Sequence, residues 1–156
     1  MKITEVRTLA LEGPDHEATQ FGPAQRAGIF PADYAYRACP VDDPLADGDE
    51  LAVGRLRVRY VATPGHCAGH GSYLVTGGER TYLLAGDAIF HGGKLFLQGI
   101  PDCDLQASLA SVRRLAGLEF DALLPGHGAI ALHDGGAHVG AALATIDRLG
   151  VPPNIV

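Results

Sequence analysis

Three short apolar runs in this chain each end in a glycine-flanked turn that carries a histidine or an aspartate. The turns are TPGH with His66, AGD with Asp87 and LPGHG with His127. This pattern limits the fold more than any other feature. Strands fix the positions of loops, and short loops on strand ends are good places to hold functional side chains. Glycine beside each polar residue lets the backbone turn sharply and approach closely. Two imidazoles and a carboxylate delivered in this way suit a zinc, iron or manganese ion.

The surrounding sequence supplies the strands and helices that this pattern requires. Residues 55–62, RLRVRYVA, alternate: Leu56, Val58 and Tyr60 share one face and Arg55, Arg57 and Arg59 the other, which reads as a half-exposed strand. Pro64-Gly65 stops it. Residues 72–76 and 80–85 are expected to be strands around a Gly77-Gly78 hairpin turn. Asp104 can cap a helix whose apolar face is Leu105, Leu109, Val112 and Leu115, ended by Gly117. Residues 121–124 read as a buried strand before Pro125. A last helix shows Val139, Leu143, Ile146 and Leu149 on one face and ends at Gly150 with Pro152-Pro153. Upstream, a strand is expected at 3–8, a polar helix at 14–27, and loop at 30–34 and 39–50. Strands and helices mix without strict alternation, so the expected class is a layered α/β fold.

Composition narrows the function. The chain has 156 residues, enough for one domain with a real core; 47% of them are hydrophobic and 19% charged. A formal net charge of −6 and the lack of a basic cluster argue against nucleic acid as a partner. Cys39, Cys67 and Cys103 form no CxxC pair and read as free thiols of a reducing compartment. No stretch resembles a membrane span or a signal peptide, so no membrane partner and a cytoplasmic location are expected.

The ordered series TPGHCAGHGSYL, AGDAIF and LPGHG resembles the metallo-β-lactamase superfamily, and within it the glyoxalase-II-like small-molecule hydrolases. The resemblance covers residues 40–150 or so. It implies a four-layer αβ/βα fold, present here in part, over a single domain of residues 1–156. It also implies that His66 ligates a first metal, His127 a second, and that Asp87 bridges both as the catalytic residue, with zinc as the usual cofactor and iron or manganese as alternatives. The implied activity is hydrolysis of an ester, thioester or similar bond of a small molecule by a metal-activated hydroxide. His70, four residues after His66, is expected to hold a ligand or substrate, or else to be a partly exposed loop residue. His91 is expected to line the substrate pocket or to sit on the surface. His133 and His138 read as structural or solvent-facing, Arg113 and Arg114 as the solvated face of their helix, and Cys67 as a small buried thiol.

The family's HxHxDH motif is absent from this sequence; Asp15-His16 lacks the two upstream histidines. The chain is therefore expected to begin downstream of that motif, without the front strands. Activity is expected to be impaired, and exposed sheet edges are expected to be covered by a partner chain, a second copy in a homo-oligomer, or aggregation. The alternative expectation is a non-catalytic remnant, or a binding subunit that completes its metal site with another chain. A nuclease branch of the same family is disfavoured by the charge.

Overall fold

A computed structural model describes residues 26–28, 31, 33 and 44–155. The strand expected at 3–8, nearly all of the helix expected at 14–27, and most of the loops expected at 30–34 and 39–43 lie outside the described residues. Residues 1–45 and 46–156 form separate compact units, and the strands and helices described here all lie in the second.

Five strands make one mixed sheet in the order β1-β2-β3-β4-β5: β1 (Glu50–Val53), β2 (Leu56–Ala62), β3 (Gly71–Thr76), β4 (Tyr82–Gly86) and β5 (Ala122–Pro125). The first three pairings are antiparallel and the last is parallel. A parallel pair needs a long crossover. Here the crossover contains α1 (Leu105–Leu115), and α2 (Gly135–Asp147) follows β5.

The expected strands recur with small shifts, and β1 is an addition that its loop-like neighbours concealed. Gly54, with φ at +61°, turns β1 into β2. The hairpin between β3 and β4 is longer than a two-residue turn. Asp121 takes up Thr81 through a 2.8 Å bond from the Thr81 N–H and a 2.9 Å bond to the Thr81 carbonyl. Regular β4 pairing with β3 accordingly runs from Tyr82.

One core joins the sheet to both helices. Val61, Leu83, Ala85 and Leu123 from the sheet meet Val112 and Leu115 of α1 and Val139, Ala142 and Ile146 of α2. The register places Val61, Ser72, Leu83 and Leu123 on one face. Alternation thus puts Arg57 and Arg59 on the helix-covered side, where β2 starts exposed and ends buried. Tyr60 and Val61 are both buried, so the strand is half-exposed only in its first part.

Asp104 caps α1 as expected. Its side chain accepts bonds from the N–H groups of Gln106 and Ala107. The second helix ends earlier than its apolar pattern suggests. Leu149 adopts a left-handed φ of +61° and is 97% exposed, so it leaves the core that the pattern assigned to it. Ala142 is the buried residue of the middle turn, where Leu143 is half-buried.

Candidate active site

The three polar turns converge at one end of the sheet. His66 lies in the loop from β2 to β3, which is closed by Thr63 N–H donating to the His70 carbonyl at 2.9 Å. Two contacts from α1 brace this loop. Asp104 N–H donates to the Gly65 carbonyl at 2.8 Å, and the Ser111 hydroxyl donates to the Pro64 carbonyl at 2.7 Å. Gly65 has φ at +141°, and a Cβ there would lie 2.5 Å from the Ser108 backbone nitrogen. The Pro-Gly of TPGH is thus required by how tightly the loop lies on α1.

Asp87 leaves β4 just past a register irregularity between Leu84 and Gly86. Gly126 N–H donates to the Gly86 carbonyl at 2.7 Å, which ties the end of β5 to the end of β4 and presents His127 beside Asp87. A Cβ on Gly126 would lie 2.3 Å from Asp87 Oδ1, so the glycine before His127 makes room for the carboxylate.

Asp87 Oδ2 lies 3.5 Å from His66 Nε2 and 3.4 Å from His127 Nε2. These separations exceed the ordinary length of an N–H···O hydrogen bond. They match the spacing, about 3.3 Å, of two donors that share a tetrahedral ion at roughly 2.0–2.2 Å each. The other oxygen, Asp87 Oδ1, is buried with no hydrogen-bond partner, the only such side-chain atom among the described residues. A buried carboxylate oxygen without a partner is costly unless a cation stands near it. On its far side His66 directs Nδ1 at the Phe96 carbonyl, 3.4 Å away, and its ring stacks on Phe96 with centroids 5.0 Å apart. A metal-bound imidazole is commonly held this way, with its second nitrogen on a carbonyl.

The donor set therefore fits a divalent ion in kind and in spacing. It is short in number. Among the described residues no three such side chains converge on one point, so Asp87 Oδ2 is shared between two single imidazoles. A catalytic zinc usually has three protein ligands.

His70 does not point at this gap. Its Nε2 accepts the Asp87 N–H at 2.9 Å and its Nδ1 faces the Thr63 carbonyl at 3.1 Å and hydroxyl at 2.9 Å. Burial, and then the neighbouring His66, push its pKa below the usual histidine value. His91 lines a cavity of about 330 Å³ with His127, Phe90, Lys94, Ala129 and Ile155. Its ring lies 4.1 Å from that of His138, whose Nδ1 accepts the Gly92 N–H at 3.0 Å. His133 is exposed and sits against Arg80.

Sequence reading overlooked Phe96, Thr63 and Ser72. Ser72 gave a signal, being a polar residue in an otherwise apolar strand. Phe96 gave none, because its role depends on a loop that folds back over His66.

The family model described as "Metallo-beta-lactamase superfamily" matches residues 2–127. An atrochrysone carboxyl ACP thioesterase of Aspergillus fumigatus is 31% identical over 108 residues, covering 65% of this chain and 32% of that protein. A hydroxyacylglutathione hydrolase of Brucella anthropi is 42% identical over 59 residues, 38% of this chain and 20% of that one. The chain thus spans about a third or less of the length of these curated relatives. Among solved structures, a metallo-beta-lactamase family protein of Thermus thermophilus superposes with a TM-score of 0.57 at 28% identity, covering 71% of this chain and 36% of that one. Among the described residues, no helix is long and apolar enough to cross a membrane.

Proposed function

This chain belongs to the metallo-β-lactamase superfamily, and we propose that it contributes to a metal-dependent hydrolase of a small-molecule ester or thioester. The observation that carries the reading is the shared Asp87 Oδ2, within 3.4 to 3.5 Å of both His66 and His127, beside an Oδ1 that no group among the described residues satisfies. Relatives named as a hydroxyacylglutathione hydrolase and an ACP thioesterase support the thioester among the candidate bonds.

When bound, a divalent ion supplies Lewis acidity and lowers the pKa of water toward neutrality, which makes a nucleophile available for carbonyl attack. The chain's own residues do the rest. His66 and His127 present Nε2 donors, and Asp87 supplies the negative charge between them. Phe96 fixes the orientation of the His66 ring through stacking and its carbonyl. The cavity beside His127 is at the small end of the range for a ligand pocket and would seat a small acyl group against that histidine. Zinc is the favoured ion, and the donor set also admits iron or manganese.

A second reading rests on the ligand count. The described residues give one imidazole for each side of Asp87, and in this reading another chain adds the donors that complete the coordination. Metal content and turnover of the purified chain on a thioester panel test the two readings. Metal uptake with turnover, both lost in Asp87→Asn, supports the hydrolase. Metal uptake that needs a second polypeptide supports the subunit.

A further inference from the structure

Two of the three ligand-bearing turns are joined by a histidine that faces away from the site. His70 closes the His66 loop with its backbone, since its carbonyl accepts the Thr63 N–H. With its ring it reaches the next turn, since Nε2 accepts the Asp87 N–H at 2.9 Å. One residue thus sets the position of both His66 and Asp87.

The hydrogen bonds around it admit one consistent arrangement of protons. Because Nε2 accepts from a peptide N–H, it carries the lone pair, and the ring proton is on Nδ1. Nδ1–H then donates toward Thr63, 2.9 Å from its hydroxyl and 3.1 Å from its carbonyl. The Thr63 hydroxyl donates to Ser72 Oγ at 2.9 Å, and the Ser72 hydroxyl donates to the Ala85 carbonyl at 3.2 Å. Thr63 and Ser72 are fully buried, at 1% and 0% exposure. The relay leaves β4 at Asp87, crosses the ends of β2 and β3, and returns to β4 at Ala85. Every buried hydroxyl in it has a partner, and satisfied buried polar networks fix geometry. Both ring nitrogens of His70 are occupied within the protein, which removes it from the set of metal ligands.

We propose that His70 is a positioning residue: through the Asp87–His70–Thr63–Ser72 relay it presets the Asp87 carboxylate between His66 and His127. The proposal rests on the metal-site reading above for its purpose, though not for its geometry. It also explains the spacing of GHCAGH, since four residues let the chain turn back from His66 and bring a second imidazole behind Asp87.

The test uses the metal-free and zinc-titrated chain with His70→Ala, His70→Gln and Thr63→Val. Glutamine can place an oxygen near Nε2 and accept the same N–H. In metal-free protein, nitrogen-15 spectra of wild type are expected to show the Nδ1–H tautomer at His70. Asp87 amide exchange is expected to be about tenfold faster in His70→Ala, the scale of one hydrogen bond, and to return toward wild type in His70→Gln. Zinc affinity is expected to fall about 10- to 100-fold in His70→Ala, as for other residues that hold a ligand in place, and to recover to within about threefold of wild type in His70→Gln. If His70→Ala does not fold, Thr63→Val carries the test, with a changed His70 tautomer balance and weaker zinc binding expected. Unchanged Asp87 exchange in His70→Ala, equal losses in the alanine and glutamine variants, or an Nε2–H tautomer in wild type would overturn the proposal. If wild type binds no zinc, the functional reading falls, and the Asp87 amide still decides the positioning claim.

Discussion

Gly126→Ala acts first on the Asp87 carboxylate, with the Gly86 backbone carbon 3.3 Å from the new Cβ as a lesser contact. A Cβ at position 126 would lie 2.3 Å from Asp87 Oδ1, and real Cβ contacts essentially never fall below 3.0 Å. Subtracting 2.3 from 3.0, the carboxylate must retreat by about 0.7 Å, and Oδ2 moves with it. Metal–ligand lengths tolerate roughly 0.2 Å. The displaced Oδ2 would no longer match either imidazole, so zinc affinity should fall about 100-fold, equivalent to about 2.7 kcal/mol. The backbone is not the issue, because Gly126 does not have the positive φ that would strain alanine. Reduced freedom in the unfolded chain should offset part of any clash, by roughly 0.4–1 kcal/mol. Thermal unfolding of the metal-free protein should therefore change little. Calorimetric zinc titration of wild type, Gly126→Ala and the control Gly136→Ala makes the measurement. Position 136 has open space around its Cβ. Zinc binding by Gly126→Ala within threefold of wild type would refute the claim that the carboxylate position governs the site.

Three further outcomes follow from the same structure. Leu83→Ala removes a fully buried side chain at the junction of sheet and helices, and urea unfolding should show a loss of about 2–5 kcal/mol. Asp104→Ala deletes the cap of α1 and should cost about 1 kcal/mol by the same assay. The pKa of His138 lies below its usual 6.5, through burial first and the adjacent His91 second. The unfolded chain thus takes up this proton before the folded one, and the stability linked to it is present above about pH 6.5 and lost as pH falls through the lower folded value. His138→Asn keeps an acceptor for the Gly92 N–H without titrating, so its melting temperature should decline less than that of wild type between pH 7.5 and 5; equal declines would count against this role.

Much of the architecture was legible because its signals are local. The alternation at 55–62, the Asp104 cap and the Pro-Gly and Gly-Asp turns each act within a few residues. The convergence of His66, Asp87 and His127 followed from their shared place after strands, and their order and spacing identified the family. What the sequence concealed depends on packing between distant segments. Leu149 has the right spacing for the buried face of α2, yet a left-handed backbone there carries it into solvent. Arg57 and Arg59 suggested a solvent face that turns out to be the helix side of the sheet. His70 read equally well as a loop residue or as a group that holds a ligand, and only the contacts of both ring nitrogens distinguish the two.

The central proposal is that Asp87, set between His66 and His127, supplies with them part of the donor set of a divalent ion. X-ray absorption at the zinc edge, on the chain loaded with one equivalent of zinc, tests it most directly. Imidazole nitrogen and carboxylate oxygen are expected at about 2.0–2.2 Å, with the imidazole signal reduced in both His66→Ala and His127→Ala. A spectrum of six water oxygens, or one dominated by sulfur and unchanged in these variants, would contradict it.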